Sequence, residues 1–336
     1  MTNFKRHLAA LATGIATTAL IAGAAFADAA LIYDGGGKFD KSFNEAAFNG
    51  AEKFKTEGLG EYQDLDISGL GDAMREQAMR QFASRGASPI IVPGFSWETA
   101  LRIVAAEFPD TKFTIIDAAV DLPNVQSIVF KEQEGSYLAG VLAGMKSESG
   151  KVGVIPAFNF DLLEAFACGY KQGAKSVNPA IEVLETYVGT GFEAFNDPVK
   201  AAEVAKSQLD QGADVLFQVA GGAGAGVLQA AADAGKFGIG VDSNQNHLHP
   251  GSVLTSMLKR VDVATYNAMK GALDGTWAPG VTILGVAEAG VGVAFDDNNA
   301  ALITPEMQAA VDKATADIIS GAVVVHDFRT DKACPV

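Results

Sequence analysis

Two aspartates, Asp117 and Asp242, close two stretches of sequence that follow the same plan. Residues 90–117 and residues 215–242 each run from an apolar strand through a glycine-containing turn and a helix to a second apolar strand, which ends on the aspartate. Alternating strands and helices predict parallel sheets, and the ligands of such sheets bind beyond the carboxyl ends of the strands. The repetition therefore predicts two α/β lobes, each of which presents a carboxylate to a shared cleft.

Five more residues could contribute to the same cleft, because each lies on a predicted strand, at its end or in the segment that follows it. They are Asp34, Phe43, Phe217, Gly222 and Lys259. Carboxylates accept hydrogen bonds from N–H and O–H groups, lysine donates them, and aromatic rings cover flat ligands. Together these side chains favour a flat, neutral or cationic ligand such as a nucleoside, whereas the phosphate of a nucleotide would favour arginine.

Each of these residues also has a structural interpretation when it is taken alone. An aspartate in a glycine-rich turn can bind local backbone N–H groups, and Phe43 or Phe217 can be a core residue. Lys259 can be a solvated strand end. Ser42, which stands three residues before a glutamate, has the spacing of a capping box, so a helix is predicted to begin near residue 43. The cleft interpretation depends on the common position of the candidates at strand ends.

The glycine run at residues 221–226 suggests a dinucleotide-binding turn, because it follows a strand, opens a helix and precedes a strand-end aspartate. The third small residue of that motif is missing, since Val227 occupies its place. The sequence also contains no G-x-S-x-G motif and no cluster of cysteine and histidine that could hold zinc. We therefore expect no cofactor, no metal centre and no catalytic residue.

Residues 1–27 have the pattern of a secretory signal: cations, an apolar run and a small-x-small cleavage site that ends at Ala27. We therefore expect the chain to be exported and cleaved so that it begins at Asp28. Cleavage removes two of the 25 cations and none of the 40 acids, which leaves 23 against 40 and a net charge of −17. Such a charge disfavours nucleic acid and anionic lipid as partners.

The chain has two cysteines, Cys168 and Cys334. In an oxidising compartment they can form one disulfide that ties the C-terminal tail to the second half of the chain. The alternative is one buried and one exposed thiol.

The 336 residues are enough for two domains. We expect residues 28–145 to form the first lobe and residues 146–255 the second. Residues 256–290 would complete the first lobe and residues 291–336 the second. A chain that returns to the first lobe and then to the second crosses between the lobes more than once. Several crossings predict a hinge about which the lobes close on a ligand.

Several segments resemble the basic membrane protein family of ABC-transporter substrate-binding proteins, also called purine-nucleoside receptor-like. They are Asp34–Asn44, Pro123–Val125, Glu134–Gly140, Lys151–Gly153 and Gly240–Asp242. The likeness covers about residues 30–290, and its D-K-S-F-N segment at residues 40–44 is specific. The resemblance implies a class I periplasmic-binding-protein fold, with two doubly wound parallel-sheet lobes joined by a hinge. It also implies nucleoside uptake through an ABC permease of the inner membrane. Many family members are lipoproteins with cysteine at the cleavage site, where this chain has Asp28, so a freely diffusing periplasmic receptor is implied.

The resemblance also implies roles for the candidate residues. In family members two phenylalanines sandwich the base, and their positions correspond to Phe43 and Phe217. The positions of Asp34 and Asp117 are similar to those of the acids that read the base edge. Gly222, Asp242 and Lys259 stand where relatives bind the ribose hydroxyls. Gly35 stands where relatives often carry asparagine, which leaves the preferred base open.

Two other functions stay open on the sequence alone. One is a receptor for a different flat or sugar-like ligand, such as a flavin or a pentose derivative. The other is an exported nucleoside hydrolase that uses Asp34 as its base. We expect a monomeric, non-enzymatic receptor.

Overall fold

The computed structural model describes residues 28–67 and 71–336. The predicted signal sequence lies outside these residues. The strands are β1 (Ala29–Tyr33), β2 (Tyr62–Asp66), β3 (Ile90–Pro93), β4 (Phe113–Ile116), β5 (Val125–Phe130), β6 (Lys151–Pro156), β7 (Glu182–Glu185), β8 (Val215–Val219), β9 (Phe237–Asp242), β10 (Val253–Lys259), β11 (Gly280–Leu284) and β12 (Val291–Val293). The helices are α1 (Phe43–Thr56), α2 (Asp72–Ser84), α3 (Glu98–Glu107), α4 (Glu132–Lys146), α5 (Asp161–Val177), α6 (Pro198–Asp210), α7 (Gly224–Asp233), α8 (Val261–Asp274) and α9 (Pro305–Ser320). No helix in the described part of the chain has the length and apolar character needed to cross a membrane.

The first lobe is built on six parallel strands in the order β11-β5-β4-β3-β1-β2. Helices α1 and α8 pack together on one face, and α2 and α3 pack on the other. Leu31 and Tyr33 of β1 join the core beneath α1, whereas Ala30 and Ile32 join the core beneath α2 and α3. The alternation is that of a strand covered on both faces.

The second lobe repeats this architecture with the strand order β12-β10-β9-β8-β6-β7. Its strand pairs are parallel except that β12 runs antiparallel to β10. Helices α6 and α7 pack against each other, as do α4 and α5. The fold is therefore two doubly wound α/β lobes, with one antiparallel strand at the edge of the second sheet.

Helix α4, which a lobe boundary at residue 145 would assign to the first lobe, packs instead against α5 and strands of the second sheet. The two helices approach closely because glycines line their contact. A Cβ atom on Gly140 would lie 2.2 Å from the backbone oxygen of Tyr170, and one on Gly173 would lie 1.9 Å from that of Tyr137. The first crossing between the lobes therefore precedes α4.

Within the described residues, three segments connect the two sheets, at residues 130–132, 259–261 and 284–291. They lie side by side, since Lys131 N donates to Leu284 O at 3.0 Å and Arg260 N donates to Gly290 O at 2.9 Å. The second crossing follows the whole of β10, a few residues later than the expected boundary at 256. Three adjacent connections of this kind form a hinge between the lobes.

Cys168 of α5 and Cys334 near the C-terminus form a disulfide, with their Cα atoms 5.5 Å apart. The structure thus has the paired cysteines and not the two free thiols of the alternative. The bond ties the last residues of the chain to the second lobe.

Candidate functional site

A cavity lies between the lobes, at the carboxyl ends of the strands of both sheets. It is lined by five of the seven residues that the sequence predicts for the cleft: Asp34, Phe43, Asp117, Asp242 and Lys259. The remaining lining includes Asp40, Asn44, Phe95, Leu162, Leu163, Phe166, Phe192, Phe195, Val219 and Gly221. The cavity therefore joins acidic groups from several strand ends to an aromatic surface.

The segment from Asp40 to Asn44 connects the cavity with both lobes. Asp40 caps α1, because its carboxylate accepts from Ser42 N at 2.8 Å and Asn44 N at 3.0 Å. The capping-box prediction is wrong, since the hydroxyl of Ser42 instead donates to Asp242 of the other lobe at 2.6 Å. The side-chain amide of Asn44 accepts from Asp34 N and donates to Asp34 O, both at 3.2 Å. One short segment thus starts the helix, fixes the end of β1 and contacts the second lobe.

The two strand-end aspartates share an unusual backbone. The φ angle is 71° at Asp117 and 63° at Asp242, in the left-handed region that non-glycine residues rarely adopt. Such strain costs about 1–3 kcal/mol and clusters at functional sites. Burial raises the pKa of both carboxyls, and Lys259 opposes that rise. The backbone turn at each residue brings a carboxylate into the cavity lining.

Lys259 is the cation of the cavity and is almost fully buried. Its Nζ lies 2.5 Å from Asp117 Oδ2 and 3.0 Å from Glu132 Oε1. Burial alone would lower the pKa of Lys259, but the neighbouring carboxylates, Asp117 foremost, raise it above its ordinary value. The rings of Phe43 and Phe166 have their centroids 5.3 and 5.4 Å from the ammonium. The lysine is therefore charged and held between aromatic surfaces.

Asp34 follows β1 and faces the cavity from the first lobe. Its Oδ1 accepts from Gly35 N and from Ser96 Oγ, both at 2.6 Å. Its carboxylate packs against Gly94, where an added Cβ would lie 2.1 Å from Asp34 Oδ2. Burial raises the pKa of the Asp34 carboxyl, while these two hydrogen bonds and Arg75 lower it. The glycine thus leaves the space that this carboxylate occupies.

Phe217 does not line the cavity. It lies in the middle of β8, is fully buried, and packs against Tyr170 with ring centroids 5.2 Å apart. The cavity begins at the end of that strand, where Val219 and Gly221 line it. In this structure Phe217, the expected aromatic wall, is a core residue, because a residue two positions before the strand end is enclosed by the helices that cover the sheet.

Gly222 is the second expected site residue outside the cavity lining, which includes its neighbour Gly221 instead. Gly222 lies where the lobes meet. An added Cβ would be 3.4 Å from Phe195 O and 3.5 Å from Asp40 Cβ. A Cβ atom would therefore make ordinary van der Waals contacts with both lobes at this position.

Apart from Phe43, the aromatic surface of the cavity comes from residues that the sequence did not single out. Phe95 of the first lobe stacks on Phe160 of the second, with ring centroids 4.3 Å apart and planes 17° from parallel. Phe192 lies 5.3 Å from Phe95 and 6.2 Å from Phe195, centroid to centroid. The one sequence signal for this cluster is the pair of phenylalanines at 192 and 195, just before the Asp-Pro helix start at Asp197.

A family model named Bmp, described as ABC transporter substrate-binding protein PnrA-like, matches residues 26–327. The chain belongs to the Bmp family. It is 36% identical over 282 residues to the uncharacterized lipoprotein PH1714 of Pyrococcus horikoshii, a match that covers 78% of this chain and 67% of the relative. It is 31% identical over 357 residues to the ABC transporter nucleoside-binding protein BmpA of Lactococcus lactis, which covers 96% of this chain and 99% of the relative.

Solved structures place this Bmp-family chain among ABC solute-binding proteins. The crystal structure of an ABC transporter solute-binding protein from Aeropyrum pernix K1 superposes with a TM-score of 0.81 at 27% sequence identity. That match covers 91% of this chain and 95% of the other. The resemblance in sequence and the periplasmic-binding-protein fold are thus confirmed.

The lobes of this Bmp-family protein touch across the cavity. Besides the Ser42–Asp242 bond, Ser243 Oγ donates to Ser42 O at 2.7 Å and Gln245 Nε2 donates to Lys41 O at 2.9 Å. The enclosed space is about 70 Å³, less than an engineered cavity of roughly 150 Å³ that binds benzene. The structure is therefore a closed form, and a larger ligand requires the lobes or the phenylalanine rings to move.

Proposed function

We propose that this protein captures a purine nucleoside between its lobes and delivers it, chemically unchanged, to the permease of an ABC importer. Membership of a substrate-binding family supports the receptor role. The name of the Lactococcus lactis relative, a nucleoside-binding protein, supports the ligand class. The two lobes can close about the hinge. A ligand that contacts both lobes stabilises the closed form over the open one.

One observation carries the choice of ligand. Asp117 Oδ1 is buried in the cavity region and has no hydrogen-bond partner among the described residues. An unpaired buried acceptor costs about 1–3 kcal/mol, and a ligand N–H or O–H placed there removes that cost. The cavity lining carries four carboxylates and one ammonium: Asp34, Asp40, Asp117, Asp242 and Lys259. Such a lining favours a ligand rich in hydrogen-bond donors, and a nucleoside has them on both its base and its sugar.

We assign the base to the first lobe and the sugar to the second. Asp34 and the free oxygen of Asp117 accept from the base edge, and Phe43 covers one face of the base. Asp242 and Lys259 bind the sugar hydroxyls. Lys259 Nζ lies 2.5 Å from Asp117 Oδ2, so the residues that bind the sugar are in direct contact with those that bind the base. The position of the base therefore determines that of the sugar.

Two assignments depart from the family pattern. Phe195 replaces Phe217 as the second aromatic wall. Its ring lies beside Gly221, where an added Cβ would be 3.2 Å from Phe195 Cδ1. Gly221 replaces Gly222 beside the sugar, since it is the glycine that lines the cavity.

We further propose that the mature protein works in the periplasm without a lipid anchor. Asp28 follows the proposed cleavage site, although several relatives are named lipoproteins. Intact-mass measurement of the exported protein tests this point. A mass that corresponds to a chain beginning at Asp28 supports it, and a diacylglyceryl adduct contradicts it.

A thermal-shift panel tests the ligand class. Ligand-stripped protein is melted with inosine, guanosine, adenosine, uridine, riboflavin and ribose at equal concentrations. Stabilisation follows RT ln(1 + [L]/Kd), so at 100 times its Kd a true ligand adds about 2.7 kcal/mol. We expect the purine nucleosides to give the largest shifts. A larger shift with riboflavin or ribose overturns the proposal, and chromatographic detection of released base from inosine would identify a hydrolase.

A further inference from the structure

The C-terminal residues 325–334, here named the C-terminal strap, lie across α5 and the start of α4. The disulfide fixes one end of the strap. Gln172 of α5 fixes the other, because its side-chain amide donates to His326 O at 3.0 Å and accepts from His326 N at 2.9 Å. Lys332 adds an ion pair with Asp161. The strap is therefore held on the same helix that supplies Leu162, Leu163 and Phe166 to the cavity.

Arg329 is the strap residue that reaches inward. Its Nη1 lies 2.9 Å from Glu132 Oε2, and its Nη2 donates to Phe130 O at 3.2 Å. Asp327 holds the other edge of the guanidinium, with Nε to Oδ1 at 2.9 Å. Both contacted residues, Phe130 and Glu132, belong to the first crossing between the lobes. A side chain of the strap thus braces the hinge.

Glu132 connects this arginine to the cavity. The glutamate is fully buried, and its second oxygen lies 3.0 Å from Lys259 Nζ, which in turn contacts Asp117. Neither oxygen of Glu132 makes a well-aligned hydrogen bond within the described residues, so ion pairs alone compensate its burial. Removal of one partner from a buried ion pair leaves an uncompensated charge, which is strongly unfavourable. Glu132 therefore depends on Arg329 and Lys259 together.

We propose that Arg329 is a positioning residue for ligand binding: it pairs with Glu132, and Glu132 holds Lys259 against Asp117 at the cavity. The proposal rests on the proposed function for its ligand, but the ion-pair chain can be tested without one. The strap then acts as a fixed part of the binding site through this chain of ion pairs.

The charged groups around Asp117 and Glu132 determine the effect of losing Arg329. Lys259 from β10 and Arg329 from the strap face the two carboxylates, and Asp242 from β9 adds a third carboxylate near Lys259. Without Arg329, one ammonium must compensate three buried carboxylates. The pKa of Asp117, which burial already raises to about 7, then rises further. A proton on Asp117 removes an acceptor from the ligand and weakens the contact with Lys259.

The test compares Arg329→Gln with Arg329→Lys and with Lys332→Gln, a control that removes a cation from the same strap. Nucleoside Kd is measured from pH 5.5 to 8.5. We expect Arg329→Gln to bind about tenfold more weakly than wild type at pH 6 and within about threefold of it at pH 8.5, as for loss of one partner of a buried charge pair. Arg329→Lys and Lys332→Gln should keep the wild-type profile. Equal, pH-independent losses in Arg329→Gln and Lys332→Gln would mean that the strap has only a structural role.

Two further experiments test the ion-pair chain independently of the proposed function. Carboxyl ¹³C NMR of the ligand-free protein should show Asp117 titrating at higher pH in Arg329→Gln than in wild type, and an unchanged titration overturns the inference whatever the ligand is. The double variant Glu132→Gln with Arg329→Gln removes both members of the outer pair, so it should fold and lose that shift. Persistence of the shift in the double variant would refute the role of Glu132. Failure of wild type to bind any nucleoside would instead refute the proposed function.

Discussion

Replacement of Asp242 by asparagine should weaken nucleoside binding far more than free-base binding. Asparagine has nearly the same volume and tolerates the left-handed backbone at this position, where φ is 63°. It loses the negative charge, however, and keeps one acceptor oxygen where the carboxylate has two. A hydrogen bond to a charged group is worth about 1.5–3 kcal/mol, which corresponds to a loss of about 10- to 150-fold in affinity. Because we assign Asp242 to the sugar, guanine should lose no more than about threefold, within about 0.7 kcal/mol.

Isothermal titration calorimetry of wild type and Asp242→Asn with guanosine and with guanine measures both ratios. Ser42→Ala is the matched control, because it removes the Ser42–Asp242 bond of 2.6 Å that links the lobes but keeps the carboxylate. That variant should bind guanosine within about threefold of wild type, since a ligand hydroxyl replaces the serine hydroxyl as donor. Equal losses for guanosine and guanine in Asp242→Asn would refute the assignment of this residue to the sugar. A large loss in Ser42→Ala would show instead that closure of the lobes limits binding.

Further outcomes are expected for four variants. Replacement of Cys168 and Cys334 by serine should lower the free energy of unfolding by about 2–5 kcal/mol in denaturant titrations, because the bond closes a loop of 166 residues; a change below about 1 kcal/mol would contradict the constraint. Burial raises the pKa of Asp40 to about 7, so the folded state binds this proton more tightly than the unfolded state and stability falls as pH rises from about 4 to 7. Asp40→Asn should therefore reduce that decline in the free energy of unfolding by about 3 kcal/mol or less. An unchanged dependence of stability on pH would contradict the effect of burial on Asp40. Phe217→Ala should lower the free energy of unfolding by about 3–5 kcal/mol and leave nucleoside Kd nearly unchanged, because the residue is in the core. Phe195→Ala should weaken nucleoside binding by about 2- to 10-fold at a smaller cost in stability, and the reverse pattern would restore Phe217 as the aromatic wall.

Much of the fold can be predicted from the sequence because its determinants are local. Apolar runs bounded by glycines and closed by Asp117 and Asp242 specify strand, turn and helix without reference to the rest of the chain. The same local signal locates the carboxylates at strand ends, and parallel sheets bring strand ends together. The position of α4 is not local, since it depends on glycines at 140 and 173 that meet only when two helices pack.

Apart from Phe43, the aromatic part of the site could not be predicted for a related reason. A strand covered on both faces has buried side chains along its whole length, so nothing in Val215–Val219 distinguishes a residue that faces the cleft from one in the core. The capping-box spacing failed at Ser42 because the partner of its hydroxyl, Asp242, lies 200 residues away in the other lobe. The roles of Glu132 and Arg329 could not be predicted either, since only the tertiary structure brings the strap to the hinge.

Calorimetric titration of ligand-stripped wild-type protein determines whether the protein is a nucleoside receptor. The titrants are guanosine, an equimolar mixture of guanine and ribose, and riboflavin. We expect saturable one-to-one binding of guanosine that is tighter than binding of either component of the mixture, because both lobes contact the intact nucleoside. Tighter binding of riboflavin, or binding of the mixture as tight as that of guanosine, would contradict a nucleoside receptor.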